Sequence, residues 1–282
     1  MGRELAYAQL VERSITKKYR KEIWSPFITA IKRYELISEG DRIAVCISGG
    51  KDSMLMAVLF KMLLRISDVP FEAEYLVMDP GYSPANRAQI EENAGKLEIP
   101  ASFFESGIFG VAEKSDESPC YLCARMRRGA LYAEAQKRGC NKIALGHHFS
   151  DVIETTVMSM FYSGQLQGMM PKLHSQNYEN MELIRPMYCI HEEDIIAWKN
   201  YNHLEFIQCA CKFTENLDIA DSGYSSKRQE MKALIKELKK ENPDIDKSIF
   251  NSIHHVYLDT FPGYKIGDVQ HSFLETYREE ND

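Results

Sequence analysis

A run of eight residues could hold a phosphate: Cys46-Ile47-Ser48-Gly49-Gly50-Lys51-Asp52-Ser53 follows the apolar stretch that begins at Ile43 and opens a helical pattern at Met54. A glycine pair between a buried strand and a helix lets backbone N–H groups approach an anion, and the helix N-terminus adds partial positive charge. The run reads as a phosphate-binding loop, with an ordinary strand-to-helix turn as the competing account. It is not a Walker A motif, because Val45 stands where that pattern needs its first glycine and Asp52 follows Lys51 where it needs Ser or Thr.

A second constellation is Pro119-Cys120-Tyr121-Leu122-Cys123-Ala124-Arg125, whose spacing lets both sulfurs face one metal at the start of a helix, where the dipole also favours thiolates. For a lone C-x-x-C, zinc, an iron–sulfur cluster, redox chemistry and chance all stay open. Given a metal there, Cys209 and Cys211 are the candidates to complete it, since such a site needs at least three protein ligands. Cys46, Cys140 and Cys189 read as small core or spacer residues.

The third constellation is Leu145-Gly146-His147-His148-Phe149-Ser150-Asp151. Gly146 permits a close backbone approach, while His147, His148 and Asp151 fall at a strand-to-helix junction where they could meet phosphate or magnesium. They do not form the H-E-x-x-H zinc pattern. Asp79, before Pro80-Gly81, could bind ribose or a nucleoside at a strand end, or could simply form the turn. Lys172 closes a Gly-containing stretch from Ser163 and is either a phosphate contact or part of a plain connection.

Apolar periodicity supplies the elements that must position these groups. Residues 4–38 read as helix, broken or kinked at Pro26, with a basic excess (Arg13, Lys17, Lys18, Arg20, Lys21, Lys32, Arg33) that could meet RNA phosphates or could be a solvated face. From Arg42 strands and helices alternate: strands near 43–47, 73–79, 101–104, 142–145 and 182–185, with helices at 52–66, 84–97, 120–138 and 192–201. That alternation predicts an α/β fold, a parallel sheet covered by helices on both faces. Residues 217–242 read as a charged helix stopped by Pro243, and the tail after Phe261, with a turn at Pro262-Gly263, is expected to pack weakly.

Composition bounds the rest. A chain of 282 residues with 44% apolar content can bury a real core, and no apolar run approaches a membrane span. The N-terminus lacks a signal peptide's apolar heart, so the expected location is the cytoplasm, where seven cysteines argue for metal or catalytic use over disulfides. A net charge of −7 argues against indiscriminate nucleic-acid binding without excluding a local basic face.

Taken in order, the string Ser48 to Ser53, Cys120-Tyr121-Leu122-Cys123-Ala124-Arg125, Gly146-His147-His148, Asp151 with Glu154-Thr155, and Cys209 resemble the tRNA 2-thiocytidine synthetase (TtcA) family of the ATP-pyrophosphatase (PP-loop) superfamily. The resemblance spans roughly residues 25–215 and extends to Ile184-Arg185-Pro186 and Met169-Met170-Pro171-Lys172. It implies a Rossmann-like, adenine nucleotide alpha hydrolase-like fold. A helical segment 1–40 would precede the PP-loop ATP-pyrophosphatase domain 41–215, and a helical extension 216–282 would follow it. It also implies ATP-dependent 2-thiolation of cytidine in tRNA. By the resemblance, ATP would adenylate the base C2 oxygen, a [4Fe-4S] cluster on three cysteines would deliver sulfur, and Mg2+ would accompany the phosphates.

By that resemblance Ser48, Gly49, Gly50, Lys51 and Ser53 would hold the ATP phosphates, Asp52 would act at the magnesium or the reacting base, and Asp151 would position magnesium-bound phosphate. Asp79, Gly146, His147 and His148 would border the nucleotide, and Cys120, Cys123 and Cys209 would ligate the cluster. Two departures stand out: the family's second cysteine pair is C-x-x-C where this chain has Cys209-Ala210-Cys211, and Ser150 stands where an Asp is usual. The implied partners are tRNA and a sulfur donor, either a cysteine desulfurase or free sulfide, with no membrane and a homodimer by analogy. The alternatives are a sister thiolase acting on uridine or a non-tRNA substrate, and a non-catalytic zinc- or nucleotide-binding module.

Overall fold

A computed structural model describes residues 5–106, 119–207 and 227–279, and for 119–125, 276, 278 and 279 the backbone alone. The first strand, β1 (Arg42–Ile47), is buried along nearly its whole length, as a central strand covered on both faces must be. It pairs in parallel with β2 (Glu72–Asp79) on one side and β4 (Lys142–Ala144) on the other. β3 (Ala101–Glu105) continues the sheet beyond β2, and β6 (Glu182–Ile184) continues it beyond β4, both parallel. With β5 (Lys172–His174) at the edge, the spatial order β3-β2-β1-β4-β6-β5 reverses direction between β1 and β4. In an open α/β sheet, ligands bind at that switch point, beyond the carboxyl ends of the two strands.

The helix leaving β1, α3 (Lys51–Leu64), is apolar all round: every residue from Ser53 to Phe60 is buried. Such a helix needs cover on its outer side as well as the sheet beneath it. The cover comes from α1 (Tyr7–Thr16), α2 (Ser25–Arg33) and α7 (Glu192–Tyr201), which bring Val11, Ile15, Phe27, Ile195 and Trp198 into one core with Met54, Leu55 and Leu59. The expected single N-terminal helix is therefore three pieces, α1 and α2 joined by a π-helical turn at Arg20–Trp24. Pro26 does not break it. Pro26 lies in the first turn of α2, where a missing N–H costs nothing, and the irregularity precedes it.

The remaining helices are α4 (Pro84–Lys96), α5 (Pro119–Lys137), α6 (Phe149–Ser163), α8 (Lys227–Glu241), α9 (Ile245–Ser252) and α10 (Leu274–Glu279). Met231 and Ile235 of α8 and Phe250 of α9 bury against Phe149, Val152 and Val157 of α6. Two expectations are corrected. The stretch ending at Lys172 is not all loop: Lys172–His174 forms β5, an antiparallel edge strand on β6. The tail is a hairpin, β7 (Gly263–Ile266) with β8 (Val269–Ser272), so Pro262-Gly263 starts a strand and the turn falls at Gly267, in a left-handed conformation (φ 59°). No residue of that hairpin is buried, which agrees with weak packing. Among the described residues no helix is long and apolar enough to cross a membrane.

A buried ion pair ties the amino ends of the strands together. Lys142 Nζ lies 2.6 Å from Asp41 Oδ2 and 3.1 Å from Glu182 Oε2, with the Lys142 and Asp41 side chains only 4% and 5% exposed. Removing one partner of such a pair strands the other charge in a poorly solvated place. Lys142→Ala is expected to lower unfolding free energy by about 3 kcal/mol, read as a drop in the urea midpoint at unchanged slope.

Candidate active site

The phosphate-loop residues follow directly from β1. Gly49 takes φ +86°, and a Cβ there would lie 2.6 Å from Ile90 Cγ1 and 2.7 Å from Ile207 Cδ1, so only glycine fits. Gly50 is the N-cap of α3, in extended conformation, and no side chain caps that helix. By contrast, Ser83 Oγ accepts the Asn86 N–H at the start of α4, and His148 and Asp151 cap α6 reciprocally. The first N–H groups of α3, those of Lys51, Asp52 and Ser53, have no carbonyl within their own helix to meet. They can seat an anion at the start of a fixed, buried helix.

The loop is braced from inside. Ser53 Oγ donates to the Gly50 carbonyl at 3.0 Å and accepts the Ser48 N–H at 3.1 Å, with the Ser48 hydroxyl also 3.1 Å away. The chain leaving β4 presses against it: a Cβ on Gly146 would lie 3.2 Å from the Ser53 amide nitrogen. Gly146 is thus what lets the two loops at the switch point meet. On the other flank Tyr82 Oη donates to the Ser48 carbonyl at 3.3 Å. Asp79 holds that flank, its Oδ1 accepting the Gly81 and Tyr82 N–H groups at 2.8 and 2.7 Å while Oδ2 accepts Arg87 Nη1 at 2.9 Å. Both Asp79 oxygens are engaged within the protein, which matches its reading as a turn-former at the rim.

Charged side chains surround the seat. Lys51 Nζ lies 3.1 Å from both Asp52 Oδ2 and Glu192 Oε1; burial opposes its charge, but the two carboxylates outweigh that and hold its pKa above the usual lysine value. Asp52 Oδ1 is buried without a hydrogen-bond partner, with His148 Nε2 3.7 Å away. His148 Nδ1 accepts the Asp151 N–H at 3.4 Å, and Asp151 Oδ2 accepts the His148 N–H at 3.0 Å. The His147 Nδ1 is also buried and unpartnered, and burial, then the nearby Arg185 guanidinium, push His147 down to about 4, so its ring is neutral at pH 7.

Three contributors carried no local signal in the sequence. Glu192 opens α7 and reaches Lys51 across 141 positions. Arg228 and Lys232, one turn apart on α8, reach back to the site. Arg228 Nη1 donates to Asp151 Oδ1 at 2.6 Å and lies 3.7 Å from Glu154 Oε2, while Lys232 Nζ donates to Glu192 Oε2. Three acids at a helix start and a charged helix face look like ordinary dipole and solvent chemistry until the chain is folded. Lys172, in contrast, points elsewhere: its ammonium meets Glu182 Oε2 at 3.4 Å and the Glu35 carbonyl at 3.1 Å, towards the amino edge of the sheet. Its reading as a phosphate contact is withdrawn.

Cys120 and Cys123 sit in the first turn of α5, and their side chains are outside the described residues, as are Cys209 and Cys211 entirely. The next turn of α5 is described, and Met126 and Ala130 pack, as Tyr82 does, against Met78, next to Asp79 in the chain. Cys46 and Cys140 are buried in the core and Cys189 is half-buried, as expected of spacers. Among the described residues no group of three or more His, Cys, Asp or Glu is arranged to hold a metal by itself.

Comparison with known proteins fits this geometry. A family model for the PP-loop domain matches residues 17–216. The tRNA-cytidine(32) 2-sulfurtransferase of Geotalea uraniireducens (strain Rf4) is 38% identical over 231 residues, 80% of this chain and 88% of that protein. The same-named protein of Geotalea daltonii is 37% identical over 251 residues, 88% and 94% of the two chains. The chain belongs to the TtcA family of PP-loop enzymes. A solved structure of the U34-tRNA thiolase NcsA from Methanococcus maripaludis, with its [4Fe-4S] cluster, shares the fold, with a TM-score of 0.62 at 18% identity over 83% of this chain and 79% of that one. One family departure finds a local use: Ser150 Oγ accepts the Glu192 N–H at 3.3 Å, joining the starts of α6 and α7.

Glu154 generates a pH prediction. It is buried, and burial, then the Asp151 charge, raise it to about 7 despite Arg228. A carboxyl with a raised folded pKa stabilises the fold less as pH climbs from its unfolded value, 4.5, through about 7. Glu154→Gln is therefore expected to gain stability relative to the parent as pH rises, from near zero below 4.5 to about 3 kcal/mol above 7, read by urea midpoints across that range. Glu192 runs the other way, since Lys232 and Lys51 override burial and pull it to about 2, so its contribution is lost only as pH falls from 4.5 towards 2.

Proposed function

We propose that the protein catalyses ATP-dependent 2-thiolation of cytidine in tRNA, the activity named for its relatives. The observation that carries this reading is the uncapped, half-buried start of α3 beside Gly49 and Gly50, an anion seat in a member of the TtcA family. ATP fits there because the N–H groups of Lys51, Asp52 and Ser53 meet phosphate oxygens and the buried, unpartnered Nδ1 of His147 lies at the adjoining loop as a neutral partner for the nucleoside. Mg2+ fits Asp52 and Asp151: it takes one or two carboxylates together with phosphate oxygens, and Asp52 Oδ1 is buried and free of hydrogen bonds.

The reaction divides into two displacements. The C2 oxygen of cytidine attacks the α-phosphorus and pyrophosphate leaves, which converts a poor leaving group into AMP; a sulfur nucleophile then takes its place at C2. The α3 N-terminus and Lys51 stabilise charge that accumulates on the leaving phosphates. Asp52, held by Lys51 and facing His148, orients the ion pair at the reacting end. A [4Fe-4S] cluster on Cys120, Cys123 and Cys209 would supply the sulfur carrier, fed by a desulfurase or by sulfide.

Anaerobic purification should give a brown protein with about four iron and four labile sulfides per chain, and zinc alone would defeat the reading. Cys120→Ser and Cys209→Ser should each lose the iron while keeping ATP binding, and Cys211→Ser should keep both; iron loss in Cys211→Ser with retention in Cys209→Ser would exchange the two. Nucleoside mass spectrometry of tRNA from a deletion strain should show 2-thiocytidine absent and 2-thiouridine unchanged. The reverse pattern would assign the enzyme to uridine.

A further inference from the structure

The carboxylates and cations around the α3 N-terminus do not balance without help from the end of the chain. Among the described residues, Asp52, Asp151, Glu154 and Glu192 line the seat, and Lys51 is the cation that the PP-loop itself contributes. Even with Glu154 partly protonated and the Arg185 guanidinium near His147, Asp52, Asp151 and Glu192 outnumber the cations of the β1 and β4 loops, a poor place for a polyphosphate because like charges repel strongly where water is partly excluded. Arg228 and Lys232 correct this from α8, which lies beyond the residues 17–216 matched by the family model.

Their placement is built. Met231 and Ile235 bury α8 against α6, and the i,i+4 pair Arg228 and Lys232 projects from an adjoining line of the same helix. Lys51 and Lys232 sit on the two oxygens of one carboxylate, Glu192, so their ammonium groups bracket a single anionic group beside the loop. Arg228 is bidentate in a different sense, with Nη1 on Asp151 and Nη2 3.3 Å from Thr155 Oγ1. The Arg228 and Lys232 side chains are 41% and 53% exposed, so water reaches both cations and screens their ion pairs. That same exposure leaves both free to exchange a carboxylate for an incoming phosphate.

We infer that Arg228 and Lys232 are polyphosphate-binding residues of the nucleotide site, contributed by the C-terminal helix and standing in the free enzyme on the carboxylates they leave when the nucleotide enters. The inference rests on the reading that ATP occupies the Gly49–Gly50 seat. Arg228 faces the side of Asp151, and Lys232 the side of Lys51, so the two meet the departing pyrophosphate from α8 while the α3 N–H groups meet it from below.

The test is calorimetric titration of the purified full chain with ATP, pyrophosphate and AMP. Arg228→Ala and Lys232→Ala should each weaken ATP and pyrophosphate about tenfold, the loss of one charge-assisted hydrogen bond, with AMP nearly unchanged. Arg228→Lys and Lys232→Arg should recover most of it. In the unmutated protein, ATP and pyrophosphate but not AMP should shield Lys232 from amine acylation, read by peptide mass spectrometry, a readout that survives if an alanine variant fails to fold. Equal loss for ATP and AMP would assign a structural role and overturn the inference. So would unchanged ATP affinity with weakened tRNA binding, which would place the pair on RNA phosphates. If the unmutated protein binds no ATP, the functional reading above falls first; if it does and Lys232 is not shielded, this inference falls alone.

Discussion

Everything at the site depends on where one buried helix begins. From Ser53 to Phe60 no residue of α3 reaches water, so the helix has no solvent side on which to shift or fray. Its apolar girth obliges α1, α2 and α7 to pack over it, and in return its first turn is fixed against β1 to within the tolerance of a packed core. An anion seat made of backbone N–H groups needs that rigidity, because those groups must already point at the ligand. The cost of leaving them uncapped is small at the rim of a cleft, where water can serve them.

The meeting of two loops at the β1–β4 switch point adds a second constraint. Gly146 lies so close to Ser53 that a methyl group would crowd the backbone, and Gly49 is left-handed with isoleucines packed against it. Both glycines are required by close approach, although they sit almost 100 residues apart in sequence, as P-loop-like turns and the sheet reversal together demand. The histidines and Asp151 that follow Gly146 are carried to the seat by the same packing. Their capping of α6 settles which atoms remain for a ligand: His148 Nδ1 and Asp151 Oδ2 are spent on the helix start, while His147 Nδ1 and Asp52 Oδ1 are not.

Local signals in the chain were enough for the strands β1 to β4 and β6 and for the strand-to-helix turn at Gly49–Gly50, because each is written in a few consecutive positions. Short edge elements were less legible. β5 has three residues and β7 four, and Lys172-Leu173-His174 offers neither alternation nor a turn signature strong enough to separate it from loop. The direction of Lys172 was illegible for another reason: a long flexible side chain goes to whichever carboxylate folding brings near, here Glu182. The same holds with opposite consequence for Glu192, Arg228 and Lys232. Ion pairs spanning 40, 77 and 141 positions leave no periodic trace, so the charge balance of the cleft exists only in three dimensions.

The cysteine turn shows how topology can place what side-chain geometry is not needed to place. α5 leaves the sheet's carboxyl edge after β3 and returns the chain to the amino end of β4, so it runs antiparallel to the strands and its first turn stands at the edge where the phosphate loop lies. Met126 and Ala130, in the turns that follow, pack on Met78, as does Tyr82, whose hydroxyl donates to the Ser48 carbonyl. The direction of α5, antiparallel to the strands, therefore sets the backbone of its first turn on the rim where the Gly49–Gly50 loop lies, though the two segments share no sequence proximity.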